Sequence, residues 1–486
     1  MFIKKYKNSF LFGLLAGLAF LPIYLLIFLP VGFYYIITKI VDLLDTVEDK
    51  KLLKSFLYGT IFGFGYYLSQ LYWISFSLLV DIKTYFWLFP FAVVAIPIAC
   101  ALYFGCTTML LFYILKKSKI KNKFVISLIF SFLYVFFEYV RGLIFPWNLF
   151  AYILGFSNLF IQIVRYINIY IFDFILVLFF SFGYVLFKYN SKKLTIIKEN
   201  RHYIPFYIFI ILFLFLFGEL RLSNAKPKKF NLNFRLVQAN IPQTLKWDRN
   251  ESEHNITKYI DLSTSQGYDN IDVVVWSESS IPYILTENSS LGIKFNGIGD
   301  KILIGGAIRG EIKNGELEKI WNSIFIFKNG KIIDYYDKTI LVPFGEYIPF
   351  SKYLPFIKKI TEGDIEFSKG NSNKTIDLGE IKISPVVCYE IIFPNNVIDS
   401  SNPPDLIVNL TNDGWFGTSS GPYQHFVATK FRAIENEIPI IRVSNNGITV
   451  YIDEYGRALQ KTKLNTTDKV DINFQPSNTN KILKSN

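Results

Sequence analysis

The sequence has little cysteine, histidine or methionine: its 486 residues include three cysteines, three histidines and two methionines. Cys100 and Cys106 lie in an apolar run, whereas Cys388 lies in the more polar half of the chain, so no disulfide framework is indicated. No pair of cysteines or histidines has the spacing of zinc ligands, which argues against a structural or catalytic zinc site. We therefore expect no metal and no cofactor.

Charged residues are scarce in the first half of the chain, where long runs of Phe, Leu, Ile and Tyr recur. A helix that spans a bilayer needs about 20 apolar residues. We predict that residues 1–222 form a polytopic α-helical membrane bundle of about seven helices. The predicted spans lie near residues 10–22, 24–41, 55–76, 86–115, 124–141, 167–187 and 204–220.

The net charge of +12 could indicate nucleic-acid binding, but the basic residues gather at the ends of the apolar segments. Membrane proteins place basic residues in this way, with the basic loops on the cytoplasmic side. Basic residues precede the first span and fill the loops at 116–123 and 188–201. An odd number of spans then places everything after residue 220 outside the cytoplasm, and we expect no nucleic-acid partner.

Two groups of side chains in the predicted bundle carry hypotheses of their own. Glu138 and Arg141 lie one helical turn apart, and they are either an interfacial ion pair that fixes a helix end or functional charges inside the membrane. Tyr72, Trp73 and Trp87 are typical of an aromatic belt at the outer interface.

Residues 223–475 have a different pattern, in which short β-branched strands alternate with polar turns and a few helices. Continuous apolar runs such as 273–275 favour strands that are covered on both faces. We therefore predict an extracytoplasmic α/β sandwich, followed by a polar tail at 476–486. Two long connections, 279–299 and 349–370, are candidate lids over a site.

An acid, a lysine and a thiol each follow a predicted strand of this domain: Glu278, Lys338 and Cys388. Alone, each has an ordinary explanation, since lone cysteines are often small buried hydrophobes and strand-terminal charges are usually solvated. Together they could converge at one sheet edge, where the acid accepts the thiol proton and the ammonium stabilises an oxyanion. A Cys-His pair is disfavoured, because His425 lies within a predicted helix.

Several motifs resemble the apolipoprotein N-acyltransferase family of bacterial envelopes, and the resemblance covers nearly the whole chain. The acid, lysine and thiol alone indicate the wider nitrilase, or carbon-nitrogen hydrolase, superfamily with its αββα sandwich; the preceding bundle narrows the resemblance. The motifs are Val-Gln-Ala-Asn-Ile-Pro-Gln-Thr-Leu-Lys-Trp at 237–247, Trp-Ser-Glu-Ser at 276–279, Tyr-Asp-Lys at 336–338, Leu-Val-Pro-Phe-Gly-Glu-Tyr-Ile-Pro at 341–349, Cys-Tyr-Glu at 388–390, Thr-Asn-Asp-Gly-Trp-Phe-Gly at 411–417, Arg-Gly at 141–142 and Pro-Trp at 146–147.

The resemblance implies an enzyme of the bacterial inner membrane with its catalytic domain on the periplasmic side. It implies that an acyl chain moves from a membrane phospholipid to a cysteine as a thioester, and then to the α-amino group of a diacylglyceryl apolipoprotein. By the same resemblance Glu278 is the general base, Lys338 the cation at the oxyanion and Cys388 the nucleophile. The residues implied as supporting or substrate-binding are Trp247, Glu346, Tyr389 and Glu390. We expect a monomer.

One feature departs from the family pattern. The family usually closes with a further transmembrane helix, whereas no segment after residue 455 of this sequence is long and apolar enough to span a bilayer. With seven spans, the C-terminus is expected outside the cytoplasm. The alternatives are a membrane-anchored amidase that acts on a small substrate with the same three residues, and a permease-like bundle with a degenerate sensory domain.

Overall fold

The computed structural model describes residues 2–190, 193–287, 289, 295, 297–349, 351, 359–361, 363 and 365–473. The predicted tail at 476–486 and parts of both candidate lids lie outside the described residues. The chain divides into two compact units. The first contains Met1–Leu79, Lys83–Ala225 and Ser419–Val427, and the second contains Val80–Ile82, Lys226–Thr418 and Ala428–Asn486.

The first unit is helical, and a helix lies on each of the seven segments predicted to span the membrane. Its helices are α1 (Phe2–Gly17), α2 (Phe28–Asp45), α3 (Lys51–Leu71), α4 (Ile82–Tyr85), α5 (Phe89–Ser118), α6 (Lys123–Gly142), α7 (Ile169–Phe180), α8 (Phe182–Leu186) and α9 (Ile204–Ser223), with a hairpin of strands β1 (Phe187–Asn190) and β2 (Lys193–Ile196).

Four helical stretches among the described residues are long and apolar enough to cross a membrane. They are Ile82–Ser118, Lys123–Gly142, Ile169–Leu186 and Lys198–Ser223. Many large apolar side chains of α9 remain exposed, including Phe209 and Leu216, as expected for a helix that faces lipid. The number of spans stays a prediction.

The charges predicted on α6 are buried in the bundle and bind the segment that follows that helix. Arg141 Nη1 donates to the carbonyl oxygens of Phe145 and Trp147 at 2.7 and 2.8 Å, and Arg141 Nη2 lies 3.4 Å from Glu138 Oε1. The backbone N–H of Phe150 donates to Glu138 Oε1 at 3.1 Å. The pair thus fixes the chain that follows α6, and its depth in a membrane stays a prediction.

The predicted belt position of Trp73 is wrong, because Trp73 is only 1% exposed. Its indole N–H donates to Gln424 Oε1 at 3.0 Å, and that of Trp147 donates to the same oxygen at 2.9 Å. Gln424 Nε2 in turn donates to the carbonyl oxygen of Gln70 at 3.0 Å. A buried amide oxygen thus accepts from two buried indoles, and the Trp73 indole N–H also donates to the carbonyl oxygen of Gln70 at 2.9 Å.

The described residues of the second unit form two β-sheets, one α-helix and most of a second α-helix that begins in the first unit. One sheet has the order β14-β13-β12-β11-β10-β9, and the other has the order β15-β3-β4-β6-β7-β8, with β5 also paired to β6. The elements are β3 (Phe234–Gln238), α10 (Ser252–Thr264), β4 (Val273–Val275), β5 (Ile281–Leu285), β6 (Ile302–Lys313), β7 (Glu316–Lys328), β8 (Lys331–Asp337), β9 (Ile376–Asp377), β10 (Lys382–Val387), β11 (Leu406–Thr411), α11 (Gly421–Asn436), β12 (Ile440–Ser444), β13 (Val450–Ile452), β14 (Ala458–Lys461) and β15 (Asp468–Ile472).

The two sheets share one hydrophobic core, to which alternate residues of each strand contribute. Val273 and Val275 of β4 pack there with Val387 of β10, whereas Val274 packs in a second core with Tyr259 of α10. On the other sheet, Arg442 of β12 contacts Thr429 of α11. Each sheet therefore has a helix on its outer face, which is the predicted αββα sandwich.

Candidate active site

Cys388 directly follows β10 and starts a short 3₁₀ turn, Cys388–Ile392. Its φ of +46° is in the left-handed region, which a side chain with a Cβ rarely adopts and which is often found at functional sites. Cys388 is 7% exposed, and its thiol hydrogen-bonds the side chain of Thr411 at the end of β11. Burial, reinforced by the charge of Glu278, raises the pKa of Cys388 to about 12, and the charge of Lys338 opposes this rise.

Glu278 follows β4, which ends at Val275, and its charge acts on the Cys388 thiol. Its Oε1 accepts from Asn322 Nδ2 at 2.8 Å, and Oε2 has no hydrogen-bond partner among the described residues. Burial raises the pKa of this carboxyl, while the neighbouring Lys338 lowers it. One oxygen of a buried acid is thus held in place and the other is available to accept a proton.

Lys338 follows β8, whose backbone pairs with β7. Lys338 is 1% exposed, and its Nζ lies 2.9 Å from Glu346 Oε1. The Lys338 backbone N–H donates to the Asn322 carbonyl at 2.9 Å, and Asn322 Nδ2 also donates to Glu346 Oε1 at 2.9 Å. Asn322 therefore connects the carboxylates of Glu278 and Glu346 with the backbone of Lys338. The carboxylates of Glu346 and Glu278 raise the pKa of Lys338 against the effect of burial, so the ammonium stays charged.

Asp337, the residue before Lys338, is also fixed by several contacts. Arg309 of β6 donates to both oxygens of Asp337, with Nη2 to Oδ2 at 2.6 Å and Nε to Oδ1 at 2.9 Å. The guanidinium also stacks 3.7 Å above the Trp321 ring, and Ser323 Oγ donates to Asp337 Oδ1 at 2.6 Å. These contacts fix the end of β8, which carries the ammonium.

Glu390 supports the turn that presents the thiol. Its Oε2 accepts from the backbone N–H of Val387 at 2.7 Å, and its Oε1 accepts from Tyr336, Thr339 and Ile340. Because it is 1% exposed and accepts five hydrogen bonds, Glu390 links the end of β10 to the segment after β8.

The other two predicted residues are sequence neighbours of side chains at this centre. Tyr389 is buried beside Phe393, with ring centroids 5.2 Å apart. Trp247 is half-buried on the loop that follows the short turn Gln243–Leu245. Its neighbour Lys246, which the sequence analysis did not select, is 3% exposed and donates from Nζ to the Glu278 carbonyl oxygen at 2.7 Å.

A glycine on β6 allows the Glu278 strand end to approach. A Cβ at Gly306 would lie 2.7 Å from Glu278 Cα and 2.5 Å from the Ser279 nitrogen, both too close for real contacts. Ser279 itself has a φ of +46°. The main chain at Glu278 therefore packs directly against the backbone of Gly306.

Among the described residues, no group of three or more His, Cys, Asp or Glu side chains could hold a metal ion. The site is instead a buried thiol between an acid and an ammonium. This arrangement suits nucleophilic attack on a carbonyl carbon, with a proton acceptor and an oxyanion-stabilising charge already in place.

Sequence comparison extends this result to the whole chain. The family described as carbon-nitrogen hydrolase matches residues 234–479, and the apolipoprotein N-acyltransferase N-terminal domain matches residues 12–182. The apolipoprotein N-acyltransferase of Rickettsia bellii is 37% identical over 96% of this chain and 91% of the relative. The chain belongs to the apolipoprotein N-acyltransferase family.

A second relative, the apolipoprotein N-acyltransferase of Rickettsia typhi, is 36% identical over 94% of this chain and 89% of its own length. Among solved structures, a CN-hydrolase superfamily protein from Xanthomonas campestris is 17% identical, covering 50% of this chain and 89% of that chain with a TM-score of 0.37.

Membership in the apolipoprotein N-acyltransferase family confirms the predicted enzyme class. The protein is an acyltransferase of lipoprotein N-acylation in a bacterial membrane, with a nitrilase-like domain after a region of apolar helices. The alternative of an amidase with a small substrate is not favoured, because the match includes the helical N-terminal domain as well as the hydrolase-like domain.

Proposed function

We propose that Cys388 carries an acyl chain from a membrane glycerophospholipid to the α-amino group of the diacylglyceryl-cysteine of an apolipoprotein. The observation that best supports this proposal is the buried thiol within the electrostatic field of one carboxyl and one ammonium, Glu278 and Lys338. Both substrates are lipids, which gives a physical reason for joining such a domain to apolar helices.

In the first half-reaction, Glu278 Oε2 accepts the thiol proton as sulfur attacks the ester carbonyl. A base is needed because the thiol pKa of about 12 leaves little thiolate at neutral pH. Lys338 stabilises the oxyanion. The carbon–oxygen bond then breaks, the proton passes from Glu278 to the departing glycerol oxygen, and a lysophospholipid leaves a thioester on Cys388.

In the second half-reaction, the acceptor amine attacks the thioester carbon. Glu278 accepts a proton from the amine, the carbon–sulfur bond breaks, and the proton returns to sulfur, so the free thiol is restored and an amide is released. The same two charges serve both steps, because the two tetrahedral intermediates place their oxyanions at the same carbonyl.

The remaining predicted residues take supporting roles in this proposal. Glu346 holds the Lys338 ammonium at 2.9 Å, and Glu390 holds the Val387 N–H before the nucleophile at 2.7 Å. Tyr389 forms a wall next to the thiol, and Trp247 lies at the entrance for substrates.

The proposed topology is a multi-pass protein of the bacterial inner membrane with about seven spans and its catalytic domain on the periplasmic side. The basic loops at 116–123 and 188–201 support a cytoplasmic position for those loops. We further propose that the enzyme works as a monomer.

The test uses the purified full-length protein, phospholipid with a labelled acyl chain and a synthetic diacylated lipopeptide. The label is expected on Cys388 as a hydroxylamine-sensitive thioester, and it should move to the lipopeptide when the peptide is added. Cys388→Ala and Glu278→Gln should abolish labelling. The double variant Cys100→Ala, Cys106→Ala is the matched control, and it should label as the parent protein does.

Two results would contradict the proposal. One is the absence of label on Cys388 in a folded protein. The other is release of the labelled acyl chain to water at the same rate with and without lipopeptide, which would indicate a hydrolase.

A further inference from the structure

Lys246 is a buried cation at the candidate site that has no role in the reaction described above. It is 3% exposed, and the single hydrogen bond of its ammonium group among the described residues is the 2.7 Å bond from Nζ to the Glu278 carbonyl oxygen. An ammonium group has three donors, so two of them lack a partner there. Burying an incompletely satisfied charge is costly, which calls for a compensating interaction.

That compensation comes from the charges around Lys246, which interacts electrostatically with Glu278 and with Cys388. The Asp413 carboxylate is already paired with Arg442 at 2.8 Å. Without Lys246, the buried carboxyl groups of Glu278, Glu346 and Glu390 would face, among the described residues, the single ammonium of Lys338.

Such an excess of negative charge would oppose formation of a thiolate and of an oxyanion at Cys388. Lys338 cannot cancel it alone, since its ammonium already binds Glu346 at 2.9 Å. A second ammonium beside Glu278 stabilises the negative charge both when it is on the Glu278 carboxylate and when it is on the Cys388 thiolate. Its bond to the Glu278 carbonyl also holds the peptide that carries the base.

We propose that Lys246 is a positioning residue of the transfer reaction, which holds the Glu278 peptide in place and supplies the second positive charge that favours the Cys388 thiolate. This inference rests on the proposed function for its place in the reaction. The thiol chemistry itself can be measured without any lipid.

The experiment measures alkylation of Cys388 by chloroacetamide in the full-length protein, in the Cys100→Ala, Cys106→Ala background, from pH 6 to 10. Lys246→Met is expected to slow alkylation at pH 7 by about 10-fold, equivalent to about one unit of thiol pKa. Lys246→Arg should restore most of the rate. Lys430→Met is the matched control, because Lys430 is also buried but its electrostatic partner is Lys461.

The pH profile separates a charge effect from a purely structural one. Burial lowers the pKa of Lys246 to about 8, so the cation is present below about pH 8 and is lost as the pH rises through that value. The ratio of parent to Lys246→Met rates should therefore be largest below pH 8 and shrink above it. A Lys246→Met protein that melts like its parent and has the same alkylation profile would overturn the inference.

Acyl transfer provides the second readout. Lys246→Met should reduce kcat more than it changes KM for the lipopeptide; unchanged kcat would count against the inference. If the parent protein transfers no acyl chain but Lys246→Met still alters alkylation, the proposed function fails and the effect of Lys246 on the thiol stands.

Discussion

Replacement of Asn322 by Leu tests how the site controls its acid. Asn322 is 5% exposed, and its Nδ2 donates to Glu278 Oε1 at 2.8 Å and to Glu346 Oε1 at 2.9 Å. Leu has nearly the same shape but no donor, so it would leave both carboxylate oxygens without this partner.

The expected size follows from the bond to Glu278. A hydrogen bond to a charged group contributes about 1.5–3 kcal/mol, and 1.36 kcal/mol corresponds to one pKa unit, so its loss should raise the pKa of Glu278 by about one to two units. The Glu278 pKa is already raised by burial. A general base works only when it is ionised. The pH at which activity rises should therefore be about one to two units higher for Asn322→Leu than for the parent.

The assay is the pH dependence of kcat for acyl transfer to the diacylated lipopeptide. Below the new pKa, Asn322→Leu should be about 10- to 100-fold slower than the parent, and it should recover at higher pH. Asn233→Ala is the control, because that amide binds the Asn270 carbonyl at 2.8 Å before β3, at the opposite strand ends. A profile with an unshifted acid limb would refute the reasoning, as would an equal loss of rate at every pH.

Three further variants test the support of the site and of the fold. Glu390→Gln should lower stability by about 2–3 kcal/mol, because an NH₂ group would face hydrogen-bond donors, and a lower melting temperature with slower thiol alkylation would be the observation. Arg309→Lys loses the bidentate contact with Asp337, so kcat should fall about 10-fold with little change in KM. An unchanged kcat would contradict a role for this contact in the reaction. Arg235→Met should cost about 3 kcal/mol in a denaturant melt, because the carbonyl oxygens of Ser263, Ser265 and Gln266 lose the donor that Arg235 supplies. The activity per folded molecule should persist, and a loss of that activity would contradict a purely structural role.

The acid, the lysine and the thiol could be located from the sequence because Lys338 and Cys388 directly follow a strand and Glu278 comes soon after one. Parallel strands within a sheet end at the same edge, so residues that come after such strands meet in space. β3, β4 and β6 are parallel, as are β10, β11 and β12. The apolar β-branched strands were recognisable for the same reason, since both faces of each sheet are covered.

Other parts of the site depend on pairing that no local pattern reveals. Asn322 lies within β7, and its position opposite Ile308 of β6 determines that its amide reaches two carboxylates. Lys246 reaches Glu278 from a loop, so its burial follows from the path of that loop and not from its neighbours in sequence. A lysine in a loop ordinarily lies in solvent.

The strand β15 and the segment Ser419–Val427 were missed for a similar reason. β15 is short and carries three charged residues in five, yet it pairs antiparallel with β3, with Ile472 opposite Phe234. Ser419–Val427 belongs with the helical unit because Gln424 satisfies the indoles of Trp73 and Trp147. Contacts between residues more than 270 positions apart leave no periodic signal in the sequence.

Gly306 has a consequence for mutational surveys of this enzyme. The residue bears no functional group, yet even an alanine there would push against the main chain at Glu278 and Ser279. Substitutions at this position should therefore score among the inactive variants in a growth selection while the protein still reaches the membrane in normal amounts. The absence of a side chain at Gly306 should therefore be as necessary for activity as the Glu278 carboxyl.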